Sequence, residues 1–163
     1  MAADIYLKLE GIEGESTDHV HRGWVECASV AWAIGQLGKS SGSAAGGHTI
    51  ERSDHQDIIL GKVADRATPL LLQACSAGAT IPSAQLDFMR ADSNGQRVKY
   101  FEVKLENVLV AVVLPTIAPG ELLHEQVGLR YAKISWRYSR QSISGGLAGC
   151  TVGGWDLSRN RTC

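Results

Sequence analysis

The 163-residue chain carries 16 Lys and Arg against 17 Asp and Glu, a formal net charge of -1. That balance lacks the basic stripe needed to follow a phosphate backbone, so no nucleic-acid partner is expected. No apolar run approaches the roughly 18 residues of a spanning helix, so no membrane insertion is expected, and the length suits one domain over 1–163.

Aromatic residues make up 6% of a chain that is 44% hydrophobic, so the core must rest on Val, Ile, Leu and Ala. The opening Met1-Ala2-Ala3-Asp4-Ile5-Tyr6 has no charged region followed by an apolar one, which argues against an ordinary signal peptide and for synthesis in the cytoplasm. Cys27, Cys75, Cys150 and Cys163 have no CxxC spacing. Cys27 and Cys75 lie in apolar surroundings and read as buried thiols of a reducing compartment.

Period-two patterning dominates, beginning at Asp4 to Leu9, where Ile5, Leu7 and Leu9 share a face opposite Tyr6 and Lys8. Trp24 to Ile34 reads as a strand with Trp24, Val30, Trp32 and Ile34 on one side and Val25, Cys27, Ser29, Ala31 and Ala33 on the other. Neither face is fully polar, as for a strand covered on both sides or lining a constricted surface. From Gly35 to His48 there is almost nothing apolar to bury, which predicts a mobile, exposed loop.

Thr68-Pro69 followed by Leu70-Leu71-Leu72-Gln73-Ala74-Cys75 and Gly78 predicts one short helix. Thr68 is the expected N-cap, Pro69 suits the first helical position, and Gly78 can end the helix in the left-handed region. Ala84 to Arg90 then alternates, with Leu86 and Phe88 inward and Gln85 and Asp87 outward. After Asp92-Ser93-Asn94-Gly95 the alternation resumes, with Phe101, Val103 and Leu105 opposite Glu102, Lys104 and Glu106. Asn-Gly between alternating runs predicts a hairpin. A loop follows at Leu114 to Leu123, and Gln126 to Tyr138 changes phase near Ala132-Lys133, the mark of a bulge or corner between sheets.

Three motifs carry enzyme or metal chemistry in other contexts. Ala33 to Ser40 fits a relaxed P-loop, but the Ser/Gly run after it cannot hold the helix that would complete a phosphate site. Ser76 resembles an elbow nucleophile, yet it falls near a helix end rather than between strand and helix. His19 and His21 share a face of an extended segment, half of a zinc site with no paired cluster to complete it. No catalytic, cofactor or metal residue is assigned, and the chain is read as a mainly β protein: a small β-barrel of two packed antiparallel sheets with one short α-helix.

Several stretches resemble the Hcp (haemolysin-coregulated protein) family, the tube component of type VI secretion systems. They are Asp4 to Ser16 with its Gly14-Glu15-Ser16 turn, the strand ending at Trp32, Ala67-Thr68-Pro69 with the helix to Gly78, Tyr100 to Val113, Glu125 to Ala132, and Gly153-Gly154-Trp155-Asp156 to Asn160. The resemblance spans the chain in order. One departure is Val30, where relatives often carry a second Trp two residues before the position of Trp32.

The resemblance implies a homohexamer with ring stacking, a surrounding contractile sheath, a spike trimer at the tip, and export without a signal peptide through the secretion machine. Small effector proteins are expected in the lumen, and with the chain ending at Cys163 a plain tube subunit without an attached payload is expected. Lys39, Ser40, Ser41, Gly42, Ser43, Gly46 and Gly47 are expected to contact the adjacent ring or subunit. Ser29, Ala31 and Ala33 are expected to face the channel. The alternatives are a carrier ring for effectors without a stable tube role, and a nucleotide-binding enzyme.

Overall fold

Alternation becomes strand almost everywhere in the computed structural model, which describes residues 4–36 and 51–163. In chain order these are β1 (Asp4–Leu9), β2 (Val25–Cys27), β3 (Ser29–Ala31), β4 (Ile34–Gln36), β5 (Ser53–His55), β6 (Ile58–Val63), α1 (Thr68–Ala77), β7 (Thr80–Ala91), β8 (Arg97–Thr116), β9 (His124–Arg130), β10 (Lys133–Gln141), β11 (Leu147–Asp156) and β12 (Arg161–Thr162).

Every strand pair is antiparallel. One sheet runs β12-β11-β10-β8-β7-β1-β2. A second runs β3-β6-β9 and ends on the C-terminal part of β8, while β4 and β5 form a separate ribbon. The sheets share the 20-residue β8, whose register slips between Val110 and Val112 as it passes from one to the other. They join again where β2 bends into β3 at Ala28 and where β9 becomes β10 through Tyr131 and Ala132. Bent, shared strands close the two sheets into a barrel.

The phase change at Ala132 is borne out: Val127, Leu129 and Tyr131 are buried with odd parity, then Ile134 with even parity. A second slip, at Ala28, is absent from the sequence-based expectation. Val25 is fully buried and Cys27 packs on the core, whereas beyond Ala28 it is Val30 and Trp32 that pack inward. Trp24 to Ile34 is therefore three short strands with a rephased face, not one continuous strand. Inside, Leu7, Val25, Leu86, Val103, Leu105 and Ile134 of the first sheet meet Ile58, Leu60, Val127 and Leu129 of the second. Burial of these aliphatics, at about 1.5–3 kcal/mol for each large side chain, is the main force holding the sheets face to face.

Helix α1 contributes Leu71 to the core and ends at Gly78 in the left-handed region, φ 62°, as expected. Thr68 is not its cap. Ala67 holds the N-cap position without a side-chain bond, and Thr68 turns its hydroxyl back to accept from the Asp65 amide at 3.0 Å and donate to Glu125 at 3.0 Å. The hairpin between β7 and β8 is present, but as a five-residue loop. Only Gly95 takes positive φ, 77°, and the Asp92 carboxylate accepts from the amides of Asn94, Gln96 and Gly146.

Candidate functional site

Strand alternation gives each sheet an outer face, and the two faces differ in kind. On the second sheet, cross-strand register sets Ser29 beside Gly61 and Gln126 beside Leu114; in the next row Ala31 lies beside Ile59, Gly128 and Val112. Ser29, Ala31 and Ala33 are all exposed, as are Ile59, Val63, Val112 and Leu114. Gly128 keeps the surface flat: a Cβ there would come within 2.7 Å of the Val112 side chain. This sheet also ends in open edges. Among the described residues β8 beyond Leu109 pairs with β9 alone, with helix α1 packed against β8, and β3 pairs with β6 alone. Unpaired strand edges of this kind are templates for another chain.

The outer face of the first sheet is ionised and cross-bridged. Its rows run Tyr6, Asp87, Glu102, Arg137 and Lys8, Gln85, Lys104, Ser135. Lys99 bonds Glu102 and reaches Asp87 at 3.4 Å; Lys133 reaches Glu106 at 3.4 Å. Asp87, expected to point outward, and Tyr6 and Glu102, on the faces opposite the apolar residues of their strands, do point outward but are buried. The segment from Gly14 to Trp24 folds over them. His21 lies there with Nδ1 2.8 Å from Asp18 and Nε2 2.9 Å from Asp87, its ring stacked on Tyr6 at 4.3 Å. The hydrogen bond from His21 holds the Asp18 carboxyl below its usual range, and burial raises the Tyr6 hydroxyl. His21 is thus a structural clasp, and His19, which shares the half-site pattern with it, is exposed.

Beneath the second sheet lies another buried polar centre. Lys62 and Glu125, directly paired across β6 and β9, meet at 2.5 Å with both side chains fully buried; Asp65 accepts from the same ammonium at 2.9 Å. The signal was in the sequence, since Lys62 has the parity of Ile58 and Leu60 and so must point inward. Cys27 borders this centre, its thiol pushed up to about 12 by burial, which disfavours the thiolate.

A concave surface lies between the β4–β5 ribbon and the β10–β11 pair, walled by Ile34, His55, Trp136 and Trp155. His55 donates to or accepts from the Tyr131 hydroxyl at 2.9 Å; burial lowers the imidazole below its usual value and raises the tyrosine to about 12. Ser76, the resemblance to an elbow nucleophile, spends its hydroxyl on the Leu72 carbonyl within α1 at 2.8 Å. Lys39, Ser40, Ser41, Gly42, Ser43, Gly46 and Gly47 lie outside the described residues, as do the last residues of the P-loop-like run.

A family model described as "Type VI secretion system effector, Hcp" matches residues 6–138. "Protein hcp1" of Pseudomonas aeruginosa is 32% identical over 162 residues, covering 98% of each chain. The crystal structure of Hcp1 from Salmonella typhimurium is 28% identical, with a TM-score of 0.81 and 100% of each chain covered. A structure described as that of a type six secretion system protein reaches a TM-score of 0.92 at 25% identity, covering 99% of this chain and 100% of that one. With a barrel whose one outer face is aliphatic and open-edged, and with likeness along the whole chain in both sequence and fold, the protein belongs to the Hcp family of type VI secretion proteins.

Proposed function

We propose that this chain is a structural subunit of the type VI secretion inner tube, forming hexameric rings that stack inside a contractile sheath behind a spike trimer. The observation that carries this reading is the second sheet: a short run of strands with small and aliphatic side chains outside and, among the described residues, a strand edge without a strand partner at each end. The edge at Ser29–Ala31 of one subunit and the edge at Val110–Thr116 of the next are different surfaces. Joining them is a head-to-tail contact, which closes into a ring when its rotation divides a full turn. The activity is assembly, with no cofactor in it.

Ser29, Ala31 and Ala33 then line the channel, where short side chains leave room for small effector proteins. Ala31→Gln should keep the ring mass unchanged and reduce retention of a co-expressed effector, read by co-purification; equal retention would remove the channel assignment. Lys39, Ser40, Ser41, Gly42, Ser43, Gly46 and Gly47 contact the adjacent ring or subunit in this reading. Deleting Ser40 to Gly46 should leave the subunit folded while shortening stacks and lowering secretion. Synthesis is cytoplasmic, and export follows the tube out of the cell. Native mass spectrometry of the purified chain tests the ring directly: a species of six times 17.5 kDa is expected, and a single-copy mass at high concentration would refute it.

A further inference from the structure

The loop between β7 and β8 carries the dipeptide Asn94-Gly95, with both residues exposed. Gly95 takes φ 77° and has no side chain to screen its amide nitrogen from the side chain before it. Counting through the Asn94 backbone carbonyl carbon, Cα, Cβ and Cγ, a bond from the Gly95 nitrogen to Cγ would close a five-membered ring. The backbone amide is therefore a nucleophile within reach of the side-chain amide once the turn opens.

The Asn94 amide is also a structural contact. Its Nδ2 donates to the Ser144 carbonyl at 3.4 Å and fills the place where a Cβ on Gly145 would stand. Beside it the Ser93 hydroxyl donates to the Ile143 carbonyl at 3.5 Å, and the Asp92 carboxylate accepts from the Gly146 amide at 3.1 Å. Together these contacts latch the β7–β8 loop to the turn between β10 and β11. The same Asp92 carboxylate accepts from the amides of Asn94 and Gln96 at 2.9 and 2.8 Å, so one charged group organises both turns.

We infer that Asn94 is a site of spontaneous deamidation and that its conversion unlatches the two turns. The Gly95 amide nitrogen gives its proton to solvent base and bonds to the Asn94 Cγ. The Cγ–Nδ2 bond then breaks, and the nitrogen takes up a proton and leaves as ammonia. The succinimide so formed adds one water at either of its carbonyls and opens to aspartate or isoaspartate. Water and solvent base are the only co-reactants. The Gly95 N–H is bonded to the Asp92 carbonyl at 3.0 Å and must leave it first, so opening of the loop admits the reaction. The product sets an acceptor-only carboxylate against the Ser144 carbonyl, where a donor stood, and brings a second negative charge beside Asp92. Isoaspartate also lengthens the loop backbone by one methylene, which moves the Gln96 amide relative to the carboxylate that holds it.

The test holds the full chain in mildly alkaline buffer and follows the tryptic peptide Ala91–Arg97 by mass and chromatography. A gain of one mass unit, divided between aspartate and isoaspartate forms, is expected to accumulate at Asn94. Asn94→Gln, whose attack would need a larger ring, should stay unmodified. Hydrogen–deuterium exchange reads the latch: the Gly146 amide should exchange roughly tenfold faster in Asn94→Asp than in the wild type, with the β7–β8 ladder unchanged. If the loop stays unmodified in the folded chain for the time in which the free Ala91–Arg97 peptide converts, the modification site is overturned. If Asn94→Asp protects Gly146 as well as the wild type does, the unlatching is overturned.

Discussion

The two sheets of the barrel solve the same packing problem with charge on opposite sides. The first keeps its ionised residues outside, bridges them across strands, and covers the most buried of them with the His21 segment. The second hides its Lys62–Glu125 pair inside and shows Ala31, Ile59, Val112 and Leu114 outside. Edges do not separate the two sheets, since among the described residues Leu147–Gly154 of β11 also has a strand partner on one side only; the row of Ala31, Ile59 and Val112 on the second sheet does. The difference teaches that its outer surface suits a partner better than bulk water, and under the function proposed above that partner is a neighbouring subunit.

The comparison can be broken hardest at the buried pair. Glu125→Ala leaves the Lys62 ammonium without its principal partner and should cost about 3–5 kcal/mol in urea unfolding, while Lys62→Met with Glu125→Leu should recover most of that. Recovery would make the pair a packing solution; no recovery would mean that the charges also fix the strand register. On the outer face of the same sheet, Gly128→Ala drives a Cβ towards Val112 and should destabilise by about 1 kcal/mol, since the valine can give way only partly. Lys104→Ala, exposed on the first sheet beside Glu102, should change stability by less than about 0.5 kcal/mol in the same assay.

Acidification should act in two stages. His55 is held below its usual 6.5, so the unfolded chain takes up its proton before the folded one does. That contribution is present above pH 6.5 and is lost as the pH falls through the lower folded value. Asp18 lies below its usual 3.8 because of its hydrogen bond from His21; the folded state resists its protonation, so its share survives to more acid pH and is lost below 3.8. Thermal melts across this range should show both steps, and His55→Gln should abolish the first while leaving the second.

Much of this fold was legible because period two is a strong signal. Asp4–Leu9, the hairpin at Asn94-Gly95, the helix ending at Gly78 and the corner at Ala132 all follow from local pattern. The slip at Ala28 did not, because Val25, Cys27, Ser29, Ala31 and Ala33 are all small or apolar, and a parity change among such residues leaves no polar marker. The burial of Asp87 on an outward face is not legible, since alternation tells which side a residue takes but not what later covers that side; the cover comes from His21, far away in sequence from Asp87. Thr68 was read as a cap because its type and its proline neighbour fit one, while its hydroxyl is claimed by Glu125, a partner no local pattern announces. The small-residue face could be named from the sequence, but the aliphatic row beside it appears only when β6, β8 and β9 are set in register.

Hydrogen–deuterium exchange, followed as the protein is diluted, tests most directly whether identical neighbours complete the second sheet. Amides of Ser29–Ala31 and Val110–Thr116 should be protected in concentrated protein and lose that protection together on dilution, while the β7–β8 ladder stays protected throughout. Edge amides that exchange fast at every concentration would contradict the account.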